Sequence, residues 1–350
     1  MSKIYIRKSI DMLLQLTGGN GNTFLIIDDN LKAAYGDIFR GYHIFWIRTS
    51  EELKTMETVL SISEKLLSAG ADRNSMLVGI GGGITTDIAG FIASIYKRGI
   101  KAAFVPTTLL SQVDASIGGK NGVNFHSYKN ILGTITQPEW IYISPVFLRT
   151  LSEREFRAGI SEVLKTFLIY DQAGYVSAAA YFRRLEAYRK KNGTYLCNGH
   201  YYGEETLCRI IRKCAELKSA VVERDQFEKG ERRLLNFGHT FGHAIEKIYG
   251  DDRKDIMHGE AVSIGMVMAA EYACRAGLVS RTYVESLRSD FSSIGLPVCL
   301  DGVPAGRIAE VMTKDKKVYG RNIHLILPEE KKGKTVIKDF LIPLEELKLQ

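Results

Sequence analysis

Met76-Leu77-Val78-Gly79-Ile80-Gly81-Gly82-Gly83-Ile84-Thr85-Thr86-Asp87 is the stretch that decides the fold. A short apolar run runs into a glycine turn, and Ile88, Phe91, Ile92 and Ile95 follow at helical spacing. Strand, glycine turn and helix together bring backbone N–H groups and the positive end of a helix up to a phosphate. The motif is not the GxGxxG that follows the first strand of an ordinary dinucleotide fold. On these residues alone, a pyrophosphate cradle and tight structural packing stand as alternatives.

Working outward, Phe24–Ile27, Ile44–Ile47 and Ala103–Val105 are further buried-strand runs, and the last leads into Pro106-Thr107-Thr108-Leu109. A helical stretch from Glu51 to Ala69 carries Leu53, Met56, Val59, Leu60 and Leu66 between the second and third strands. Strands alternating with helices predict a parallel sheet with helices packed on it. After about residue 150 the patterns become mostly helical, starting at Ser152-Glu153-Arg154-Glu155, which has the spacing of a capping box. Gly193–Gly203 reads as a loop, and Ile323–Leu327 with Thr335–Ile337 as a late hairpin. The expected fold is α/β: an N-terminal Rossmann-like parallel-sheet domain over residues 1–150, and a mostly α-helical C-terminal domain over residues 151–350.

A length of 350 residues suits two cores, and 45% hydrophobic with 25% charged residues is ordinary for globular chains. No apolar run is long enough to cross a bilayer, and the N-terminus lacks a signal-peptide pattern, so a cytoplasmic location without membrane contact is expected. Five cysteines without a CxxC pair argue against a disulfide framework and a thiolate zinc cluster. The net charge of +7 is scattered rather than gathered in an arm or stripe, which disfavours nucleic acid and leaves an anionic small substrate.

Two segments carry further chemistry. Asp114 precedes Gly118-Gly119-Lys120, for which a loop exposing amides and a cation to an oxyanion and a loop with a merely solvated lysine stand as alternatives, and Lys129-Asn130 follows. His239 and His243 share a helix face four residues apart, with His258 close behind and Glu162 as a carboxylate candidate. The HExxH glutamate is missing between them, so the metalloprotease reading fails. Spacing leaves open which histidine stays off the metal. Lys218 and the mixed-charge run Glu228–Arg233 lie just upstream.

Taken in order, Gly81–Gly83 with Asp87, Arg98-Gly99, Pro106–Leu110, Gln112–Asp114, Gly118–Lys120, Lys129-Asn130, Glu162–Lys165, Asn236–His243, His258–Glu260 and Met312–Lys317 resemble the 3-dehydroquinate synthases of the sugar phosphate cyclase superfamily, over almost the whole chain. The resemblance implies a zinc, or sometimes cobalt, site made by Glu162, His239 and His258, and acid/base work at His243 and Glu228, with Lys165 and Asp114 also catalytic. It implies substrate contacts from Arg98, Asp114, Lys120, Asn130, Lys165, Lys218, Arg232, Asn236, His258 and Lys316, with Arg98 reaching the neighbouring site of a homodimer. It implies NAD contacts at Asp28, Asn30, Glu51, Lys54, Gly82, Gly83, Asp87, Thr107, Thr108, Lys129, Phe147 and Thr150. The reaction it implies turns 3-deoxy-D-arabino-heptulosonate 7-phosphate into 3-dehydroquinate and phosphate on the shikimate route.

Thr86, Asn121, Phe125 and Tyr128 depart from the family pattern, and Tyr195–Tyr202 looks like a local insertion. A related cyclase making a valiolone or aminocyclitol ring, a metal-dependent polyol dehydrogenase, and a non-enzymatic metal-binding module are the rival readings. Asn236 and Lys316 side with dehydroquinate synthase, and the many anion-binding side chains disfavour the dehydrogenase.

Overall fold

Apolar runs without alternation form strands buried on both faces, which only a helix-covered parallel sheet provides. The computed structural model, which describes residues 2–18, 21–126, 128–252, 254–300, 302–313, 318–319, 321–331 and 333–347, has such a sheet. In chain order come β1 (Lys3–Ile6), α1 (Asp11–Leu16), β2 (Thr23–Asp28), α2 (Lys32–Tyr35), β3 (His43–Ile47), α3 (Met56–Ser68), β4 (Met76–Gly81) and α4 (Gly83–Ile95). Then follow β5 (Lys101–Pro106), β6 (Lys120–Phe125), β7 (Tyr128–Ile135) and β8 (Trp140–Ile143). Six strands pair in the order β1-β8-β5-β4-β2-β3, all parallel. Leu25, Ile27, Val78, Ile80, Ala103 and Val105 pack at the centre of its core, and the edge strand β3 is half-buried. Helix α4 lies close on β4: a Cβ added at Gly79 would stand 2.7 Å from the Ala89 Cβ.

The rest of the chain holds α5 (Glu153–Tyr170), α6 (Gln172–Asn192), β9 (Leu196–Cys197), β10 (His200–Tyr201), α7 (Glu204–Arg224), α8 (His239–Asp251), α9 (His258–Arg275), α10 (Arg281–Ser293) and α11 (Ala305–Thr313). It ends in the antiparallel strands β11 (Val318–Tyr319), β12 (Asn322–Lys331) and β13 (Lys334–Pro343). Contacts divide the chain into Met1–Ser152 with Gly199–Glu223, and Glu153–Asn198 with Arg224–Gln350. The α/β first half and the mainly helical second half match the fold read from the sequence.

Three local expectations are corrected. The helix expected from Glu51 is a 3-10 turn over Glu51–Leu53, and α3 starts at Met56 behind the Thr55 cap. Lys54, at φ −79 and ψ 65, breaks the two apart and stays buried. The Gly119–Asn124 segment is not an open loop. From Lys120 onward it is strand β6, paired with β7 and holding Gly122 opposite Gly133. Backbones approach closely there, since a Cβ on Gly122 would meet the Leu132 carbonyl at 2.7 Å. The Gly193–Gly203 segment contains the short strands β9 and β10.

Glycine also decides how the second unit packs. A Cβ at Gly259 would lie 1.9 Å from the Ala158 carbonyl, so only glycine lets α9 start this close to α5. Gly238, at φ +78, makes the left-handed turn that starts α8 at His239. Together they bring the first residues of α8 and α9 to the middle of α5.

Candidate metal centre and cofactor cradle

At that convergence stand Glu162 of α5, His239 of α8 and His258 of α9. Their donor atoms lie within 4.8 Å of one another. Nε2 of His239 is 3.6 Å and Nε2 of His258 is 3.5 Å from Oε1 of Glu162. Each imidazole is anchored by its other nitrogen: His239 Nδ1 lies 3.3 Å from the Phe237 carbonyl, and His258 Nδ1 lies 3.3 Å from Glu246 Oε2. Both Nε2 atoms are thereby turned to the same carboxylate.

Glu162 is wholly buried, and neither of its oxygens accepts a hydrogen bond of good geometry, although the Lys165 ammonium is in ion-pair contact with Oε2. A buried carboxylate calls for cationic partners. Two imidazole nitrogens and one carboxylate oxygen make the three-ligand donor set of a catalytic zinc site with an open position, and cobalt accepts it too. The residues fit the metal. Burial disfavours a charged His258, but Glu246 and Glu162 outweigh it and push its pKa up to about 10. The pocket's own field is thus strongly negative and favours a cation.

His243 lies one turn along α8, its ring centroid 5.5 Å from that of His239 and 6.2 Å from that of His258. His243, Glu246 and His258 form a second group of convergent donors. Glu246 was not singled out in the sequence. Its signal was there, because positions 239, 243 and 246 share one helical face.

The loop between α7 and α8 is built around Asp225. Its carboxylate accepts from the amides of Lys229 (2.9 Å), Gly230 (2.7 Å) and Arg232 (3.0 Å). Burial would raise the Asp225 pKa, but these donors hold it below the usual carboxylate range. They also hold Glu228 at φ +58, a conformation that a non-glycine residue keeps only under constraint. Asn236 donates to Glu228 Oε1, and Arg233 donates to its carbonyl. Arg232 is buried, with NH1 2.6 Å from the Gln226 carbonyl. Lys316 lies outside the described residues.

In the first unit, the chain leaves β2 for β3 on one side and β4 for β5 on the other. The switch point therefore falls between β2 and β4, where ligands of α/β sheets collect. Asp28 ends β2 there, accepting from the Asn30 amide at 3.1 Å and the Thr49 hydroxyl at 2.6 Å. Gly82 caps α4 without a side-chain hydrogen bond, leaving the first turn of amides to face outward. Gly82 also sits against Thr108, and the Thr107 amide donates to the Gly81 carbonyl. Phe147 is buried edge-on against Tyr35, and the Thr150 hydroxyl donates to the Phe147 carbonyl.

Lys54 gathers Asp87 and Asn130, each 2.5 Å from its ammonium, and the Asn124 amide donates to Glu51 Oε1. Asn130, implied as a substrate contact, thus stands with residues implied for NAD. Lys218 of α7 donates to the carbonyl and carboxylate of Asp114, which lies in a π-helical turn, Ser111–Ala115. Lys120, Lys129 and Arg98 are exposed, and Arg98 is held at φ +71. Among the departures, Asn121 is buried and donates to the Gly119 and Thr136 carbonyls, and Thr86 donates to the Gly83 carbonyl. Phe125 and Tyr128 are exposed. Of the insertion, Tyr195 donates to Glu186, and Tyr201 donates to the Leu148 carbonyl.

Asp87 yields a pH prediction. Burial raises its pKa from 3.8 to about 6, against the opposing pull of Lys54. The folded state therefore holds this proton more tightly than the unfolded chain. The stability it confers is complete below about pH 4 and is lost as pH rises towards 6. Relative to Asp87→Asn, the wild type should lose up to about 3 kcal/mol across that window, at about 1.4 kcal/mol for each pH unit. Urea unfolding of both proteins at several pH values measures it, and parallel curves would refute it.

A family model described as the N-terminal part of 3-dehydroquinate synthase matches residues 44–158, and one for its C-terminal part matches residues 159–318. A 3-dehydroquinate synthase from Sulfurovum sp. (strain NBC37-1) is 40% identical over 346 residues, 95% of this chain and 91% of that protein. Among solved structures, 2-epi-5-epi-valiolone synthase from Streptomyces hygroscopicus subsp. jinggangensis 5008, with NAD+ and Zn2+ bound, is similar with a TM-score of 0.84 at 26% identity, covering 99% of this chain and 94% of that one. A 2-deoxy-scyllo-inosose synthase complexed with carbaglucose-6-phosphate, NAD+ and Co2+ gives 0.78 at 25%, covering 97% and 93%.

Proposed function

The chain belongs to the 3-dehydroquinate synthase family, and from that premise we propose how its residues carry the family reaction. The enzyme converts 3-deoxy-D-arabino-heptulosonate 7-phosphate to 3-dehydroquinate and phosphate in the shikimate pathway, by oxidation, phosphate elimination, re-reduction and aldol closure. By reaction class it is a carbon–oxygen lyase acting on a phosphate. The observation that carries the reading is the convergence of His239 and His258 on the buried Glu162 within a chain matched by both family halves.

When bound, the metal would supply a Lewis acid for the substrate C5 hydroxyl, and NAD a reversible hydride acceptor. Glu162, His239 and His258 would hold the metal. His243 takes the hydroxyl proton, since a positioned imidazole is the side chain most often used for such a transfer. Glu228, held in its constrained loop, is the second acid/base group, and Lys165 and Asp114 complete the catalytic set. Lys120, Asn130, Lys316 and Arg98 bind phosphate through charge-assisted hydrogen bonds, and Lys218, Asn236 and His258 orient the sugar. Arg232 takes the carboxylate, because its planar fork meets two oxygens at once. Asp28, Asn30, Glu51, Lys54, Gly82, Gly83, Asp87, Thr107, Thr108, Lys129, Phe147 and Thr150 form the NAD site in a domain of residues 1–150, and residues 151–350 are the metal- and substrate-binding domain.

The enzyme works as a homodimer, with Arg98 serving the neighbouring site. Support comes from exposed Ile95, Phe125, Tyr128, Ile131 and Ile135, an apolar surface that water does not favour, and from the constrained backbone of Lys97 and Arg98. It resides in the cytoplasm; among the described residues no helix is long and apolar enough to cross a membrane.

A valiolone-type cyclase is the second reading, favoured by the structural likeness at TM-score 0.84. The substrate carboxylate separates the two. Sedoheptulose 7-phosphate has the phosphate but no carboxylate, and should be turned over poorly or not at all, because the buried Arg232 would lose the anion that its guanidinium is proposed to bind. Lost charge-assisted bonds cost about 1.5–3 kcal/mol, so Arg232→Ala should lower kcat/KM for the heptulosonate phosphate by at least about tenfold. Phosphate release with catalytic NAD, and no net NADH, measures both sugars. Equal wild-type efficiency on the two would overturn the carboxylate assignment.

A further inference from the structure

We propose that Glu246 is the positioning residue of the metal centre: its carboxylate holds His258 by Nδ1 and keeps Nε2 turned to the metal ligand Glu162. The proposal rests on the metal reading above. Glu246 follows His243 by three residues and His239 by seven, so α8 presents all three on one face. Its side chain is only 9% exposed, and its Oε2 lies 3.3 Å from His258 Nδ1.

The two histidine ligands are anchored differently. His239 is tied to a backbone carbonyl, that of Phe237, which no side-chain substitution removes, and its side chain is 11% exposed. His258 is 34% exposed, opens its helix, and takes its Nδ1 contact from a side chain. One ligand is thus fixed by the fold, and the other depends on a single carboxylate. A carboxylate on the far nitrogen sets the tautomer and ring angle and makes the imidazole a stronger donor.

Glu246 also belongs to a second donor group, with His243 and His258. The direct-ligand role nevertheless falls to Glu162. Its Oε1, which faces both imidazoles, is buried without a hydrogen bond, and its Oε2 meets the Lys165 ammonium as an ion pair, whereas Glu246 already meets His258 through the nitrogen opposite the one facing Glu162.

The test compares wild type with Glu246→Ala, Glu246→Gln and His243→Ala in the full chain, stripped by chelator and titrated with Zn2+ against a fluorescent competing chelator. Co2+ spectra report the coordination geometry. Loss of such an outer carboxylate weakens metal binding by about 10–100-fold, which is expected for Glu246→Ala with an altered Co2+ spectrum and unchanged apo-protein melting. Gln keeps an acceptor for Nδ1 and loses the charge, so it should fall between. Wild-type affinity and spectrum in Glu246→Ala would overturn the proposal. If that variant does not fold, the same result in the isosteric Glu246→Gln would overturn it. Complete metal loss in both Glu246 variants and in His243→Ala would overturn it too, by making Glu246 a ligand. A wild type that binds no metal would instead sink the metal reading itself.

Discussion

Stripping the metal is expected to abolish turnover, and Zn2+ or Co2+ is expected to restore it. The three side chains proposed as ligands each owe their position to a separate helix. No described side chain is itself a Lewis acid; the bound ion would act as one on the substrate hydroxyl, whose proton is otherwise held far too tightly to leave near neutral pH. Several kcal/mol of charge stabilisation go with the ion, which at 1.36 kcal/mol per decade is a fall of about 10³-fold or more. Chelation is the cleaner route, because it leaves Glu162 opposite Lys165. Glu162→Gln should remove metal and activity as well, but it takes the charge away from a lysine that is 1% exposed. A buried charge deprived of its partner costs about 3–5 kcal/mol, so that variant should also melt earlier. The check is metal content by elemental analysis beside phosphate release, before and after reconstitution. Full activity in metal-depleted protein would sink the centre as drawn.

What the sequence revealed depended on whether a side chain's role repeats along the chain. The parallel strands were legible because Leu25, Ile27, Val78, Ile80 and Val105 are buried on one face and Phe24, Ile26, Leu77 and Phe104 on the other, leaving unbroken runs. Strand β6 was not, because Lys120, Asn121, Gly122 and Asn124 have poor strand propensity, and cross-strand pairing with β7 overrides it. The break at Lys54 escaped for a similar reason: its buried contacts to Asp87 and Asn130 are made across space, while the apolar spacing on either side still reads as one helix. His239 and His243 stood out as uncommon residues four apart. Glu246 did not, since a glutamate on an amphipathic helix usually faces water. Asp225 was invisible for a deeper reason: it works on backbone amides, which every residue has.

His243→Ala is expected to keep its metal and lose about 10²–10⁴-fold in turnover, the usual worth of a positioned acid or base. The geometry makes this a demanding separation. His243 stands 5.5 Å by ring centroid from the ligand His239, so the two imidazoles share one pocket and differ in task. His239 and His258 each turn Nε2 to Glu162, within 3.6 Å, and the proposed ligand assignment rests on this shared carboxylate. His243 is grouped instead with Glu246 and His258. His258→Ala should therefore lose metal and activity together, whereas His243→Ala should lose activity alone. Both substitutions leave small cavities in a partly buried place, so melting curves on the apo proteins control for folding. Metal analysis decides the matter. If metal disappears with His243 and persists in His258→Ala, the ion belongs to the second donor group, and His239 rather than His243 is the imidazole left for proton transfer.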